Sequence, residues 1–266
     1  MEQNLTPLKV RHMARSGRLT SPTAGLCPGY AQANLIILPG RWARDFREYA
    51  RRNSAPCPVL EVLEGSPKTR LMASDGDITT DFPAYRIYRG GVLCQEETDV
   101  SALWQPDFVG FLIGCSFSFE EALLRAGIEM RHITMGRNVP MYKTSIPTHP
   151  AGPFRGPMVC SMRPMTPEHA RLAAEITARF PHVHGGPVQI DRPEEIGIPD
   201  LSRPDYGDAV EVRPGEVPVF WPCGVTPQAA VEAAKPPIAI THAPGHMFVT
   251  DVKNESLGDL LSAHQP

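Results

Sequence analysis

Three segments of the chain each combine an apolar strand with a short polar apex, which leads into a helix or a second strand. They are Phe108–Ala126, Val217–Ala234 and Pro237–Val252. Glycine, cysteine, serine, threonine and histidine are concentrated where these strands end. In an open α/β sheet, ligands bind just beyond the ends of the strands, where loops present backbone amides and short side chains. The pattern therefore predicts an α/β fold with a small-molecule site at these ends.

Other segments with periodic apolar residues predict further helices and strands of this α/β fold. Residues 41–53 place aromatic side chains at helical spacing and predict an amphipathic helix. Residues 58–64 alternate as a strand, and residues 85–93 predict a hairpin that turns at Gly90-Gly91. A short strand is expected near Ile128–Thr134. The expected fold is a layered α/β/α main domain with a mixed sheet.

A smaller unit interrupts this main domain. Two strands, a helix that starts at Thr166-Pro167 and a further strand predict an inserted α+β domain with two layers over residues 139–205. A segment rich in proline, aspartate and glycine, 191–208, serves as the return linker. We therefore assign residues 1–138 and 206–266 to the main domain.

Composition excludes several classes of function. The 266 residues carry a net charge of −3, which gives no basic surface for nucleic acid or for an anionic membrane. No apolar run approaches the roughly 20 residues that span a bilayer, so we expect a cytoplasmic protein. The six cysteines lack zinc-ligand spacing and are expected to be reduced. Because glycine-rich phosphate loops and a G-x-S-x-G motif are missing from the sequence, we expect no nucleotide cofactor and no serine-hydrolase chemistry.

The apex of the first segment contains Cys115, Ser116 and Ser118. A helix that begins here offers free backbone N–H groups, which can hold a carboxylate or an oxyanion. Ser116 adds a hydroxyl group, whereas Ser118 and Glu121 fit a capping box in which Ser118 caps the helix. Cys115 is either a buried structural thiol or a nucleophile.

The apices of the second and third segments add further candidates. In the second, Cys223 and Gly224 expose backbone ahead of a helix that Thr226 is predicted to cap. In the third, His242 and His246 flank a Pro-Gly turn, and histidine is the side chain best suited to proton transfer near neutral pH. We expect Cys115, Cys223 and His242 to converge on one hollow.

Candidates outside the three apices complete the set. Arginine matches a carboxylate with two hydrogen bonds, although a lone arginine more often forms a surface ion pair. His182-x-His184 is either half of a metal site or a polar loop. The candidates for substrate binding are Tyr30, Arg137, Asn138 and Arg163, together with Ser118, Cys223, Gly224 and Thr226.

Several motifs resemble the D-glutamate cyclase-like family of hydro-lyases (DUF1445-type) over residues 10–252. They are PTAGLCPGYAQANL, FLIGCSFSFEEALL, GRNVPMY, SMRPM, ITARFPHVHGGPV, RPDYGDAVEVRPGEVPVFWPCGVTPQAA and ITHAPGHMFVTD. The resemblance implies an α/β fold with a smaller α+β domain, and lyase chemistry in which D-glutamate closes to 5-oxo-D-proline with loss of water. The resemblance does not identify which residues of this chain are catalytic.

If this reaction takes place at the three apices, His242 and His246 are the catalytic acid and base. Ser116 and Cys115 are then the catalytic residues at the oxyanion site. The substrate is a small carboxylic or amino acid, a divalent metal is an open possibility, and a homo-oligomer is possible. Two alternatives stay open. One is dehydration of another carboxylic acid, assisted by a metal that the histidines hold. The other is a non-catalytic carboxylate sensor or partner-binding subunit.

Overall fold

The computed structural model describes residues 5–264. The helices are α1 (Pro7–Arg15), α2 (Gly40–Arg52), α3 (Phe117–Arg125), α4 (Arg131–Thr134), α5 (Pro167–Thr177), α6 (Thr226–Ala234) and α7 (Leu257–Ala263). The strands are β1 (Tyr30–Pro39), β2 (Val59–Glu64), β3 (Tyr85–Arg89), β4 (Val92–Glu97), β5 (Phe108–Gly114), β6 (Met141–Pro147), β7 (Pro157–Met165), β8 (Gln189–Ile190), β9 (Val217–Pro222), β10 (Ala239–His242) and β11 (Phe248–Lys253).

The strands form two sheets. The larger has seven strands in the order β2-β5-β1-β10-β3-β4, with β11 paired to β1, and the smaller has the order β6-β7-β9-β8. The α/β class is confirmed. The pairings among these described strands are antiparallel, where the sequence predicted a mixed sheet. Long connections reverse the chain between neighbouring strands, and sequence patterns do not reveal that reversal.

Apolar residues cover both faces of the larger sheet. On β1, Leu35 and Ile37 face one core cluster and Ile36 faces another, because alternate strand residues point to opposite faces. The first cluster also contains Val219 and Trp221 of β9, so the two sheets share a core. The domain division made from the sequence stays a prediction, and β9 pairs with β7 and β8 in the smaller sheet although it lies beyond residue 205.

Local expectations are confirmed in several elements. Helix α2 buries Phe46 against Phe111 of β5, with ring centroids 4.9 Å apart. The hairpin of β3 and β4 turns at Gly90-Gly91. Thr166 caps α5 by accepting a hydrogen bond from the His169 amide.

Three local expectations are wrong. Residues 131–134 form helix α4 instead of a strand. Ser118 lies inside α3 and its hydroxyl accepts a hydrogen bond from the Gln32 amide at 2.9 Å, so it caps nothing. Thr226 is the first residue of α6, and its hydroxyl donates to the Cys223 carbonyl at 2.7 Å. For Ser118, a contact with a distant part of the chain replaces the local pattern.

Within residues 5–264, none of the helices is long and apolar enough to cross a membrane.

Gly114 should tolerate no side chain, because a Cβ built there would lie 2.0 Å from the His182 carbonyl oxygen. Gly114→Ala is expected to lower the free energy of unfolding in urea by about 1–3 kcal/mol, the usual cost of overpacking. The matched control is Gly258→Ala in α7, where the new Cβ would lie 3.9 Å from the His182 ring. Equal stabilities for the two variants would contradict the packing described here.

Candidate active site

Two turns of the same design lead from a strand into a helix. β5 continues through Cys115 and Ser116 into α3, and β9 continues through Cys223 and Gly224 into α6. In the first turn the Cys115 sulfur accepts a hydrogen bond from the Phe117 amide at 3.5 Å. In the second, the backbone at Val225 interacts with the Cys223 thiol in the same way. Each turn therefore places a thiol beside the N-terminus of a helix.

Neither helix has a side-chain cap. At α3 the N-cap residue is Ser116, but its hydroxyl accepts from Arg163 instead of from its own helix. At α6 the N-cap residue is Val225, which has no polar side chain. Helices α1 and α5, by contrast, are capped by threonine. The first-turn amides are nonetheless bonded inside the turns, since the Ser118 and Thr226 amides donate to the Cys115 and Cys223 carbonyls at 3.0 Å. The Ser116 and Gly224 amides, which precede the two helices, have no backbone acceptor among the described residues.

The two turns face one closed hollow of about 10 Å³. A space of this size holds about one water molecule. The residues that line it come from both turns and from the loops around them: Asn34, Cys115, Ser116, Phe117, Val139, Met141, His184, Cys223, Gly224, Val225, Gly245 and Met247. The hollow therefore lies where the two sheets meet.

Asn34 of β1 ties the two turns together. Its amide nitrogen donates to the Gly114 carbonyl at 2.6 Å. On the other side, Gly224 packs so closely that a Cβ there would lie 2.0 Å from the same nitrogen. Only glycine allows this approach, so the first and second apices converge as the sequence predicted.

His184 contributes a buried imidazole to the hollow. Its Nδ1 lies 2.8 Å from the Ala55 carbonyl oxygen, which can only accept, so Nδ1 carries the proton in the neutral ring. Burial lowers the pKa of His184 to about 4, which keeps the ring neutral at pH 7. Its Nε2 is buried and has no hydrogen-bond partner among the described residues. Nε2 is therefore an unused proton acceptor at the edge of the hollow.

A buried ionic cluster supports the turn at α3. Arg163 of β7 has no exposed surface, and its guanidinium pairs with Glu120 and donates to the Ser116 hydroxyl at 3.0 Å. His132 Nε2 lies 3.3 Å from the same carboxylate. Burial by itself would raise the pKa of Glu120, but attraction to His132 and Arg163 outweighs it and holds the pKa below its usual range. Glu120 is therefore ionised at neutral pH.

The thiols at the hollow are not activated. Burial raises the pKa of Cys223 to about 11 and raises that of Cys115 as well. The thiolate is the nucleophilic form of cysteine, so both side chains are protonated and weakly reactive at neutral pH. In this closed form the two cysteine side chains contribute apolar surface to the lining of the hollow.

The hollow contains only part of the set of residues chosen from the sequence. Cys115, Ser116, Cys223 and Gly224 line it. Thr226 is fully buried beside the Cys223 carbonyl. The roles assigned to all of these residues stay predictions.

His242 does not line the hollow, contrary to our expectation. It shares a strand face with Ile240, and its ring centroid lies 6.3 Å from that of Phe82 within the first core cluster. Its Nδ1 lies 3.1 Å from the Leu35 amide nitrogen and 3.4 Å from the Leu35 carbonyl oxygen. Burial lowers the pKa of His242 to about 3. Because successive residues of a strand point to opposite faces, His242 points into the core on the same face as Ile240.

His246 and Asn138 line a separate, outer cleft of about 480 Å³. The loop of the third apex lies between the two spaces, because Gly245 lines the hollow while Pro244 and His246 line the cleft. Asn138 holds this loop by donating to the Pro244 carbonyl at 2.9 Å.

The other candidates lie elsewhere. Arg137 is exposed and donates to the Ala209 carbonyl. The Tyr30 ring lies 3.7 Å from the Lys253 ammonium. Ser118 borders a groove beside α3, together with Arg179 and Lys253. None of these side chains is among those that line the hollow.

Two polar residues of the hollow, Asn34 and His184, received no catalytic or substrate-binding role from the sequence. The sequence contained weak signals for both: an amide within an apolar strand, and a histidine ahead of a Gly-Gly pair. The backbone of His184 has a φ of 91°, which a residue other than glycine rarely adopts. Among residues 5–264, no group of three or more histidine, cysteine, aspartate or glutamate side chains is arranged to hold a metal ion.

The structure is that of an α/β protein with a small hollow between its two sheets. A family model described as D-glutamate cyclase matches residues 109–251. The chain is 58% identical over 258 residues to a Bacillus velezensis protein named "Putative hydro-lyase", covering 97% of this chain and 98% of that one. It is 57% identical to "Putative hydro-lyase YcsI" of Bacillus subtilis, covering 96% and 100%. The chain therefore belongs to the D-glutamate cyclase family.

A similarly named protein of Bordetella petrii is 57% identical over 259 residues, covering 97% of this chain and 98% of that one. Among solved structures, a nitrogen repressor-like protein of Methanococcus jannaschii aligns with a TM-score of 0.37 at 9% identity, covering 89% of this chain and 92% of that one. A structural similarity this weak supports no conclusion about this chain.

Stability should fall in mild acid because of His184. Its pKa is about 4 in the folded protein and about 6.5 in the unfolded chain, so the unfolded state binds the proton more tightly between these values. The free energy of unfolding should be unaffected by this group above pH 6.5. It should then decrease by up to about 1.4 kcal/mol per pH unit as the pH falls towards 4. Urea denaturation at pH 7 and pH 5 measures the change.

His184→Gln should show a smaller loss of stability between the two pH values than the unmodified protein. The control is His149→Gln, which changes an exposed histidine that does not line the hollow, and its loss of stability is compared with that of His184→Gln. A His184→Gln variant with the full acid sensitivity of the original protein would contradict the buried, neutral state of His184.

Proposed function

We propose that this protein is a hydro-lyase that closes D-glutamate to 5-oxo-D-proline with loss of water. Membership of the D-glutamate cyclase family and the names of close relatives support the reaction class. The observation that carries the proposal is the hollow, where two uncapped helix N-termini meet the unpartnered Nε2 of His184.

The reaction needs a base, an acid and a site for negative charge. The amine nitrogen of the substrate attacks the carbon of its side-chain carboxyl group and forms the ring C–N bond. One carboxyl oxygen then departs as water after it takes up two protons, which balance the two protons that the ammonium nitrogen loses as it becomes the ring amide. A tetrahedral intermediate with a negative oxygen lies between these steps, and hydrogen-bond donors fixed in advance stabilise it. The Ser116 and Gly224 amides, which have no backbone acceptor among the described residues, and the Ser116 hydroxyl serve as such donors in this proposal.

His184 is the base in this proposal. Its Nε2 has a free lone pair, and a neutral imidazole at pH 7 can remove a proton from the attacking ammonium group. The protonated ring then supplies the proton with which the oxygen leaves. His242 is less suited as base because it does not line the hollow.

The closed hollow does not have room for the whole substrate. Its volume of about 10 Å³ matches the water that the reaction releases, and glutamate has ten non-hydrogen atoms. Substrate binding therefore requires an open form of the loops that line the hollow, and the closed form excludes bulk water during the reaction.

A second candidate is a carboxylate sensor without catalysis. The raised pKa values of Cys115 and Cys223 favour it, since a site that lacks an activated nucleophile suits binding as well as turnover. The two functions differ in one measurement. The sensor binds D-glutamate and returns it unchanged, whereas the enzyme releases 5-oxo-D-proline.

Replacing His184 tests the base. With D-glutamate as substrate and 5-oxo-D-proline measured by chromatography, His184→Gln should lower kcat by about 10²–10⁴-fold, the usual contribution of a general base. The control His169→Gln changes a histidine on α5 that does not line the hollow, and should retain full activity. Full activity of His184→Gln would exclude His184 as the base.

Replacing Ser116 tests the oxyanion site. Ser116→Ala removes one donor and should lower kcat by about a hundredfold, or roughly 3 kcal/mol of barrier. Ser118→Ala is the matched control, because this serine lies in the same helix but does not line the hollow, and its rate should change little. If both variants turn over D-glutamate as the unmodified protein does, Ser116 has no part in the reaction.

A further inference from the structure

Arg163 links the smaller sheet to the turn that enters α3. Its Nε donates to Glu120 at 2.9 Å, its Nη1 donates to the Ser161 hydroxyl at 2.9 Å, and its Nη2 donates to Glu120 and to the Ser116 hydroxyl. The side chain has no exposed surface. Nearly all of its hydrogen-bonding capacity is therefore used inside the protein.

The direction of the bond to Ser116 fixes the role of that hydroxyl. A guanidinium group has only donors, so the Ser116 oxygen accepts from Arg163 and keeps its own proton for another acceptor. That proton has no acceptor among the described residues, although Ser116 is only 3% exposed. Because Ser116 lines the hollow, a ligand there is the available acceptor.

The Ser116 hydroxyl does not cap α3. The backbone of Ser116 has helical angles (φ −61°, ψ −21°), whereas a capping serine has an extended backbone. The Ser118 and Phe119 amides of the first turn donate to the Cys115 and Ser116 carbonyls. The donor that Arg163 makes available is therefore the hydroxyl proton of Ser116.

The surroundings hold the guanidinium in one orientation. Its central carbon lies 5.4 Å from the Phe119 ring centroid and 5.6 Å from the Trp221 ring centroid. Glu120 balances its charge. Lysine cannot reproduce this arrangement, because its ammonium group lacks the planar fork that reaches a carboxylate and a hydroxyl together.

We propose that Arg163 is a positioning residue that orients the Ser116 hydroxyl as a donor to the oxyanion. This rests on the proposed function of the hollow. Arg163 itself does not touch the substrate, in contrast to the carboxylate anchor expected from the sequence. Its effect on the reaction passes through Ser116.

A double-mutant cycle tests the proposal, with kcat and KM for D-glutamate measured for Arg163→Lys, Ser116→Ala and the double variant. Arg163→Lys should lower kcat about tenfold or more and leave KM within about twofold. The double variant should be no slower than Ser116→Ala, within about twofold, because Arg163 has nothing left to position.

Arg131→Lys controls for loss of a buried arginine. Arg131 is 1% exposed and pairs with Glu216 at 2.6 Å, yet it does not line the hollow. The Arg131→Lys variant should lower the melting temperature as Arg163→Lys does, and it should leave kcat unchanged. Equal losses of kcat in the two variants would make Arg163 merely structural and overturn the proposal.

Two other kinetic results would also overturn it. Losses of kcat that multiply in the double variant would mean that Arg163 acts independently of Ser116. A rise in KM at constant kcat would mean that Arg163 anchors the substrate.

Calorimetric titration with acetate applies the same double-mutant cycle to binding affinity, without turnover. Ser116→Ala and Arg163→Lys should each weaken acetate binding, and the double variant should bind as Ser116→Ala does. If D-glutamate is not turned over but this coupling appears, the proposed reaction fails and the role of Arg163 stands. If acetate binding shows no coupling, or acetate does not bind, the role of Arg163 fails.

Discussion

The buried ion pair between Arg163 and Glu120 joins the two halves of the molecule. Arg163 belongs to the smaller sheet, whereas Glu120 belongs to the helix that follows β5 of the larger one. Removing either partner would leave an uncompensated charge in the interior, which typically costs about 3–5 kcal/mol. The pair therefore fixes how the smaller sheet meets α3, and with it the shape of the hollow between them.

The properties of the hollow follow from this arrangement. Arg163 donates to the Ser116 oxygen and leaves the Ser116 proton for another acceptor, and neither α3 nor α6 has a side-chain cap. Burial lowers the pKa of His184 and raises that of Cys223. The hollow thus holds a neutral imidazole and protonated thiols at neutral pH.

Sequence patterns assigned a role to four of the twelve residues that line the hollow. Cys115, Ser116, Cys223 and Gly224 were found because strand ends with small polar residues are visible in the sequence. His184 was considered only as part of a metal pair or a polar loop, because its neighbours in the sequence form a loop with no periodicity. His242 was placed there wrongly, since the face on which a strand residue points depends on which neighbouring strands cover it.

The sequence by itself determined the α/β class, most helices and strands, the hairpin at Gly90-Gly91 and the family, because short-range periodicity and turn residues act locally. The tertiary structure alone decided the antiparallel order of the strands, the uncapped state of α3 and α6, and the position of His184 beside Cys115 and Cys223. These features depend on contacts between residues far apart in the chain, such as Arg163 with Ser116 and Asn34 with Gly114. Local propensity contains no information about such partners.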